Sequence, residues 1–266
     1  MATRARLDAE MVRRGLARSR AQAADLIAAG RVRVAGRAAA KIATQVGQDA
    51  AITIRQADQG EDYVSRGGQK LAGALAVFSG LRVAGRRCLD AGASTGGFTD
   101  VLLRAGAAQV VAVDVGYGQL AWSLRSDPRV TVLDRVNVRY LSPGQVAPPP
   151  EVVTADLSFI SLRQVLPALA GSAAHDADFV LLVKPQFEVG KGQVGPGGVV
   201  RDRELRARAV AGVAQAALGL GLGVLGVIAS PLPGPAGNAE FFLWLRRGAP
   251  ALEDADLRAA IAGAPL

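Results

Sequence analysis

The chain has 266 residues, half of them hydrophobic and a fifth charged, which excludes a disordered protein and leaves room for one large domain or a medium one with a small companion. A formal net charge of +8 and a pI near 10.5 point to a polyanionic partner, nucleic acid or an anionic membrane. One cysteine, Cys88, and one histidine, His175, exclude an internal disulfide, a multi-cysteine or histidine-rich metal site and an evident Ser-His-Asp triad.

The basic character belongs to the N-terminal segment. Residues 1–60 carry 11 Lys/Arg against 5 Asp/Glu, a net of +6, and the other 206 residues carry a net of +2. The opening "MATRARLDAEMVRRGLARSR" has no apolar core of the kind a secretory signal needs. "LDAEMVRRGL" predicts a short amphipathic helix closed by Gly15, and Ser19 N-caps a second helix, "RAQAADLIAAG", that stops at Gly30. "RVRVAGR" alternates basic and apolar residues around a turn, as a half-exposed strand does, and "AITI" reads as another strand. Together these elements present Arg4, Arg6, Arg13, Arg14, Arg18, Arg20, Arg31 and Arg33. Guanidinium groups bind phosphate in a bidentate manner, so such a face suits an RNA backbone. The run "RLDAEMVRRGLARSRAQAADLIAAGRVRVAGR" resembles the small alpha-L RNA-binding fold of a ribosomal protein and many RNA-modifying enzymes. The expected boundaries are an RNA-binding domain at 1–59, a linker at 60–63 closing the polar "QADQGED", and a larger domain at 64–266.

From Tyr63 onward strand and helix patterns alternate, which predicts an α/β fold with a parallel sheet and right-handed crossovers. Strands are expected near 86–90, 109–114, 130–133, 151–156, 178–184, 223–229 and 239–245, and helices near 66–79, 96–105, 117–125, 161–170 and 201–218. Cys88 sits in the first of these strands as a small core residue. Ala209 to Ala239 is uncharged, yet it is rich in Ala and Gly, contains Gln215 and breaks at "PLPGP". It therefore predicts a helix, a turn and a buried strand rather than a membrane span.

"LDAGASTGGFTD" places a strand ending at Asp90, a glycine turn and a helix in order. Gly92 permits the tight turn, and Gly96 and Gly97 let a ligand approach the helix start. The pattern is neither GxGxxG nor a phosphate-binding P-loop. "VVAVDVG" ends the next strand at Asp114, placed for the two hydroxyls of a ribose. Asp134 and Asn137 in "LDRVNVRYL" follow the third strand, on the side where an adenine would lie. Four further stretches belong together: "YVSRGGQKLAGAL" with Lys70 near a helix start, "VVTADLSFISL" with Asp156 at a strand end, "LLVKPQFEVG" with Lys184 at a strand end, and "PGPAGNAEFFLWL" with Glu240 opening a strand. Strand-end charges at the carboxyl edge of an open sheet are where such folds place their ligands.

The glycine loop with its acid resembles the S-adenosylmethionine site of Rossmann-type methyltransferases, and Lys-Asp-Lys-Glu in this order resembles the FtsJ/RrmJ-like ribose 2′-O-methyltransferases. With "SRGGQKL", "ADLSFISL", "KPQFE", "GGVVRD" and "SPLPGPAGNAEFF", the chain is similar along its whole length to the TlyA family. The resemblance implies a Rossmann-like methyltransferase domain behind a small α+β RNA-binding domain. It implies S-adenosylmethionine as cofactor and methylation of a cytidine 2′-hydroxyl in both 16S and 23S ribosomal RNA. Lys70, Asp156, Lys184 and Glu240 would be catalytic, and Asp90, Gly92, Ser94, Thr95, Gly96, Gly97, Phe98, Asp114, Asp134 and Asn137 would hold the cofactor. Arg4, Arg6, Arg18, Arg20, Arg31, Arg33 and Arg66 would contact RNA, with Arg139 extending the basic face, and no metal is required. Partners would be ribosomal RNA or ribosomal subunits, bound by a cytoplasmic monomer.

The chemistry suits those residues. A ribose hydroxyl is a poor nucleophile and needs a base and an oriented methyl. Lys184 accepts a proton only as the neutral amine, a form that desolvation and the neighbouring cation Lys70 favour, while Asp156 orients it and Glu240 holds Lys70 or the hydroxyl. Ser158 and Phe159 would line the target pocket, and "QFEVGKGQVGPGGVVRD" would be a substrate loop. Two other readings stay open: a membrane-active hemolysin, a label the family carries, and a non-catalytic RNA-binding or ribosome-assembly protein.

Overall fold

The computed structural model describes residues 4–17, 20–28, 30–39, 41–47, 49–54 and 63–264. The expected capping residue Ser19, the arginine Arg18 and most of the linker lie outside these residues. The chain divides into two compact units, residues 1–66 and 67–266.

In the first unit, strand β1 (Arg4–Arg6) leads directly into helix α1 (Leu7–Arg13), followed by helix α2 (Arg20–Ala28). Strands β2 (Val32–Val34) and β3 (Arg37–Ala38) form a hairpin, and β4 (Gln45–Gly47) and β5 (Ile52–Ile54) pair with β1 and β2, both antiparallel. The hairpin turns through Ala35 and Gly36, both at positive φ, as a type I′ two-residue turn requires. Leu7, Met11, Ala23, Ile27, Val32, Val46 and Ile52 form the core. The strands β1 and β4, three residues each, were not legible as alternating runs.

Two buried carboxylates on α1 organise the basic face. Asp8 accepts from Arg6 Nε at 3.1 Å and from Arg20 Nε at 2.9 Å. Glu10 accepts from Arg13 Nε at 2.8 Å and from Arg14 Nε at 2.7 Å. The arginine partners hold both carboxyls down, to about 2 in each case.

The second unit begins with α3 (Gly67–Val77) and then alternates: β6 (Arg87–Ala91), α4 (Gly97–Arg104), β7 (Gln109–Asp114), α5 (Trp122–Arg125), β8 (Val130–Asp134), β9 (Val152–Ala155), α6 (Leu162–Ser172), β10 (Asp178–Val183), α7 (Pro185–Glu188), α8 (Arg203–Leu218), β11 (Leu222–Ala229), β12 (Phe241–Arg247) and α9 (Asp254–Ala262). The sheet order is β11-β12-β10-β9-β6-β7-β8. Strands β8, β7, β6, β9 and β10 are mutually parallel, whereas β12 runs antiparallel to both β10 and β11. The expected parallel sheet is thus present in five strands and becomes mixed at β12. Only a loop without a helix joins β11 to β12, and a parallel return needs a crossover of a dozen or more residues, usually helical.

Every residue of β10 is buried, since helices cover both faces of the sheet. Phe179, Leu181 and Val183 join the core shared with α6, α8 and α9, while Phe242 packs on Phe98 at 6.0 Å between ring centres. Three helices depart from expectation, the first being the single turn α7 inside the expected substrate loop. The segment 117–121 is a turn, because Gly116 and Gly118 interrupt it and only 122–125 is helical. Helix α9 was not anticipated, although Leu257, Ala260 and Ile261 give it a buried stripe.

At the amino end of β10, fully buried Asp178 accepts from Trp244 Nε1 at 2.7 Å, Arg246 Nε at 2.9 Å and Arg86 Nη1 at 3.0 Å. Replacing Asp178 by Ala strands these donors and should cost about 3 kcal/mol in urea unfolding, since charge-assisted bonds contribute roughly 1.5–3 kcal/mol each. A loss under about 0.5 kcal/mol would contradict this role.

Candidate active site

The site is built at the carboxyl edge of the parallel strands. Strand β6 ends at Ala91, and Gly92 turns the chain at φ +87°, where a Cβ would lie 2.6 Å from the Asp156 carbonyl oxygen. Gly96 (φ +99°) N-caps α4 with no side chain to satisfy the first-turn N–H groups, which leaves that helix end suited to an anionic ligand group. Asp90 is fully buried and accepts from Thr99 Oγ1 at 2.6 Å, so it anchors the first turn of α4 from below. Burial pushes its carboxyl up to about 7, against the opposing effect of the Thr99 hydrogen bond.

Asp114, at the end of β7, receives the Ser94 N–H on one carboxylate oxygen at 2.8 Å and the Gly116 N–H on the other at 2.7 Å. The glycine loop and the following turn thus share one acceptor, whose remaining lone pairs are available to a ligand. A cleft of about 530 Å³ opens here, lined by Gly92, Ser94, Asp114, Asn137, Asp156, Ser158 and Phe159 among others. Gln119, which the sequence reading did not single out, lines the same cleft and accepts from Ser94 Oγ at 3.3 Å. A polar residue five positions beyond a strand-end acid was its only signal.

Two lysine–carboxylate pairs stand at the same edge. Lys184 Nζ lies 2.5 Å from Asp156 Oδ1 and donates to Ser158 Oγ at 3.0 Å. Lys70 Nζ donates to Glu240 Oε2 at 2.6 Å, and both residues are almost sealed from solvent at 4 % and 1 % exposure. Val183 pairs with Phe241 and Leu181 with Ala155, so Lys184, Glu240 and Asp156 each follow or precede the last paired residue of adjacent strands. Pro185 does more than end β10: it opens the single helical turn α7, with Lys184 at the N-cap. At the far end of that turn, Glu188 accepts from Ser161 Oγ at 2.5 Å and the Leu162 N–H at 2.6 Å, which ties the lysine segment to the start of α6. Burial raises the Glu188 carboxyl.

Several expected cofactor residues sit elsewhere than on the cleft wall. Asp90, Gly97 and Phe98 are buried beneath the loop, and Phe98 belongs to the core. Asp134 is engaged by the Arg125 guanidinium. Thr95 is exposed on the loop, where its carbonyl accepts the Ala121 N–H. Asn137 lines the cleft, and its side-chain oxygen caps the following turn through the Arg139 N–H at 3.0 Å. In the first unit, Arg4 and Arg33 are exposed on strands, Arg6 and Arg20 share Asp8, and Arg31 precedes β2; Arg66 ends that unit. Arg18 lies outside the described residues. Among the described residues no group of His, Cys, Asp and Glu could hold a metal ion.

Residues 63–247 match the FtsJ-like methyltransferase family, and residues 5–59 match the S4 domain. The chain is 63 % identical over 265 residues to the 16S/23S rRNA (cytidine-2′-O)-methyltransferase TlyA of Mycobacterium tuberculosis, covering 97 % of this chain and 98 % of that one. It is 37 % identical to Hemolysin A of Brachyspira hyodysenteriae, over 89 % of this chain and 97 % of that one. A solved structure from Streptococcus thermophilus, also described with the word hemolysin, aligns with a TM-score of 0.78 at 37 % identity, over 98 % of this chain and 96 % of that one.

A raised carboxyl binds its proton more tightly in the folded state, so Asp90 opposes folding increasingly as pH rises from about 4 to about 7. Asp90→Asn keeps an acceptor for Thr99 and removes that dependence. Urea unfolding across this range should show the stability of the variant relative to wild type growing with pH and levelling above about 7. A difference independent of pH would contradict it.

Proposed function

The chain belongs to the TlyA family of FtsJ-like methyltransferases, and from that premise we propose that it methylates the ribose 2′-hydroxyl of a cytidine in both 16S and 23S ribosomal RNA, with S-adenosylmethionine as donor. The observation that carries the reading is Lys184, which contacts Asp156 and Ser158, two residues lining the same cleft as Asp114 and the glycine-loop residues Gly92 and Ser94.

The donor's fit rests on the residues themselves. Asp114 keeps lone pairs for two ribose hydroxyls, and the start of α4, to which Gly96 brings no side-chain cap, suits a carboxylate. When bound, S-adenosylmethionine supplies an electrophilic methyl on a positively charged sulfur. Asp114 holds the adenosine ribose, and Asn137 and Gln119 border it. Lys184 as the neutral amine takes the proton of the RNA 2′-hydroxyl while the oxygen forms its bond to the methyl carbon and the carbon–sulfur bond breaks. Asp156 orients that amine and balances the positive charge that develops on it. Glu240 fixes Lys70, so this cation reaches the site already paired and its field on Lys184 is weaker than that of an isolated charge. Positioning supplies most of the acceleration.

The S4 unit supplies the RNA face. Asp8 fixes Arg6 and Arg20 side by side, reaching Arg20 across twelve residues of sequence, which leaves their outer N–H groups directed to phosphates. No helix among the described residues is long and apolar enough to cross a membrane.

Lys184→Ala should lower methyl transfer to ribosomal subunits by at least about 100-fold, the usual contribution of a general base, while calorimetry finds S-adenosylmethionine bound within about twofold of wild type. Turnover at the wild-type rate would reject the assignment. Asp114→Ala should show the reverse emphasis, weakening S-adenosylmethionine binding by roughly 10- to 100-fold. Unchanged affinity would reject the ribose contact.

A further inference from the structure

We infer that Ser158 is a positioning residue for Lys184, its hydroxyl completing with Asp156 the pair of acceptors that aims the amine lone pair at the substrate. The inference rests on the reading of Lys184 as the base and adds a residue to it.

The geometry counts hydrogens. A neutral primary amine has two N–H groups and one lone pair, arranged tetrahedrally with the carbon. Lys184 Nζ donates a hydrogen bond to Ser158 Oγ at 3.0 Å, while Asp156 Oδ1 stands 2.5 Å away as an ion-pair partner outside hydrogen-bond alignment and becomes the second acceptor when the amine turns toward it. When both N–H groups are so engaged, only the lone pair is left for an outside partner. With Asp156 alone, the amine can rotate about its Cε–Nζ bond and present an N–H or the lone pair to the hydroxyl in turn. Ser158 removes that freedom. Both acceptors line the cleft, and the Lys184 side chain retains 11 % exposure through which a substrate can reach it.

The hydroxyl is held by a clamped loop rather than a free one. The Asp156 N–H bonds the Ala91 carbonyl at 3.0 Å, which fastens the loop's start to the end of β6. Glu188 fastens its end through Ser161 and Leu162. Between these anchors Phe159 is held at φ +65°, an uncommon conformation for an aromatic residue, with its ring 5.3 Å from that of Phe187. Glu188 and Phe187 both lie on α7, the turn that Lys184 itself begins. The lysine and its serine acceptor are therefore referenced to the same local frame.

In the step itself, the 2′-hydroxyl proton moves to Nζ as the oxygen–methyl bond forms and the carbon–sulfur bond breaks. The resulting ammonium keeps its bonds to Asp156 and Ser158, so no group has to reorient as charge develops.

The test uses the full chain, S-adenosylmethionine and purified ribosomal subunits from a strain lacking this enzyme. Single-turnover rates at saturating donor are measured alongside donor affinity for wild type, Ser158→Ala, Ser158→Thr and Lys184→Ala. Ser158→Ala should lower the rate about 10- to 100-fold, with donor affinity within about twofold, because a hydrogen bond to a charged group is at stake. Ser158→Thr, which keeps the hydroxyl, should recover most of the rate. A wild-type rate for Ser158→Ala, a loss confined to donor affinity, or a threonine variant as slow as the alanine one would each overturn the proposal. Lys184→Ala separates the two levels: if it turns over normally, the assignment of the base fails; if it is inactive while Ser158→Ala is not, the Ser158 role alone fails.

Discussion

Phe241–Arg247 enters the sheet against the direction of its neighbours, between β10 and β11, and the site depends on that reversal. A parallel strand in this position would deliver its first residue to the opposite edge. Running antiparallel, it delivers Glu240 to the edge where β6, β9 and β10 end. The loop before it closes over the carboxylate: a Cβ on Gly234 would stand 2.5 Å from Glu240 Oε1, and Pro231 packs against Gly73 of α3. Lys70 reaches Glu240 from that same helix. One topological choice thus links the first helix of the unit to its last strand across 170 residues of sequence.

Charge at this edge is balanced in pairs. Lys70 and Lys184 each face one carboxylate, Glu240 and Asp156 respectively, yet the two pairs differ in burial and so in what they can do. Separating the sealed Lys70–Glu240 pair leaves an uncompensated buried charge, so it acts as a brace. The Lys184–Asp156 pair, at 11 % and 22 % side-chain exposure, stays accessible beside the cleft that Asp156 lines, where the proposed proton transfer would take place. Asp90 carries a third strategy: with its carboxyl raised to about 7, it avoids much of the penalty of a buried charge while still accepting from Thr99.

What the chain alone made legible was the placement of strand ends. Short, mostly apolar runs closed by a charge, Phe179–Val183 before Lys184 and Val152–Ala155 before Asp156, mark the edge of a parallel sheet, and the structure puts both charged residues there. Partner choice was less legible. Asp134 carries the same local signature as Asp114, an acid closing a strand, yet Arg125 nine residues earlier takes its carboxylate. Asp90 reads as a loop ligand because it precedes Gly92, but its side chain turns under the loop toward Thr99. Strand direction was also hidden, because an antiparallel buried strand has the same apolar run as a parallel one. The short strands β1 and β4, which pair across about forty residues, and the Arg20–Asp8 contact depend on partners distant in sequence, which periodicity does not encode.

The central claim is that this edge delivers a methyl group to a ribose oxygen, and the product identifies the atom methylated. Ribosomal subunits from a strain lacking the enzyme would be treated with the purified chain and S-adenosylmethionine, digested to nucleosides and resolved by mass spectrometry. The account predicts 2′-O-methylcytidine, formed only when the donor is present. A methyl group on a base, or no methylated nucleoside from either subunit, would contradict it.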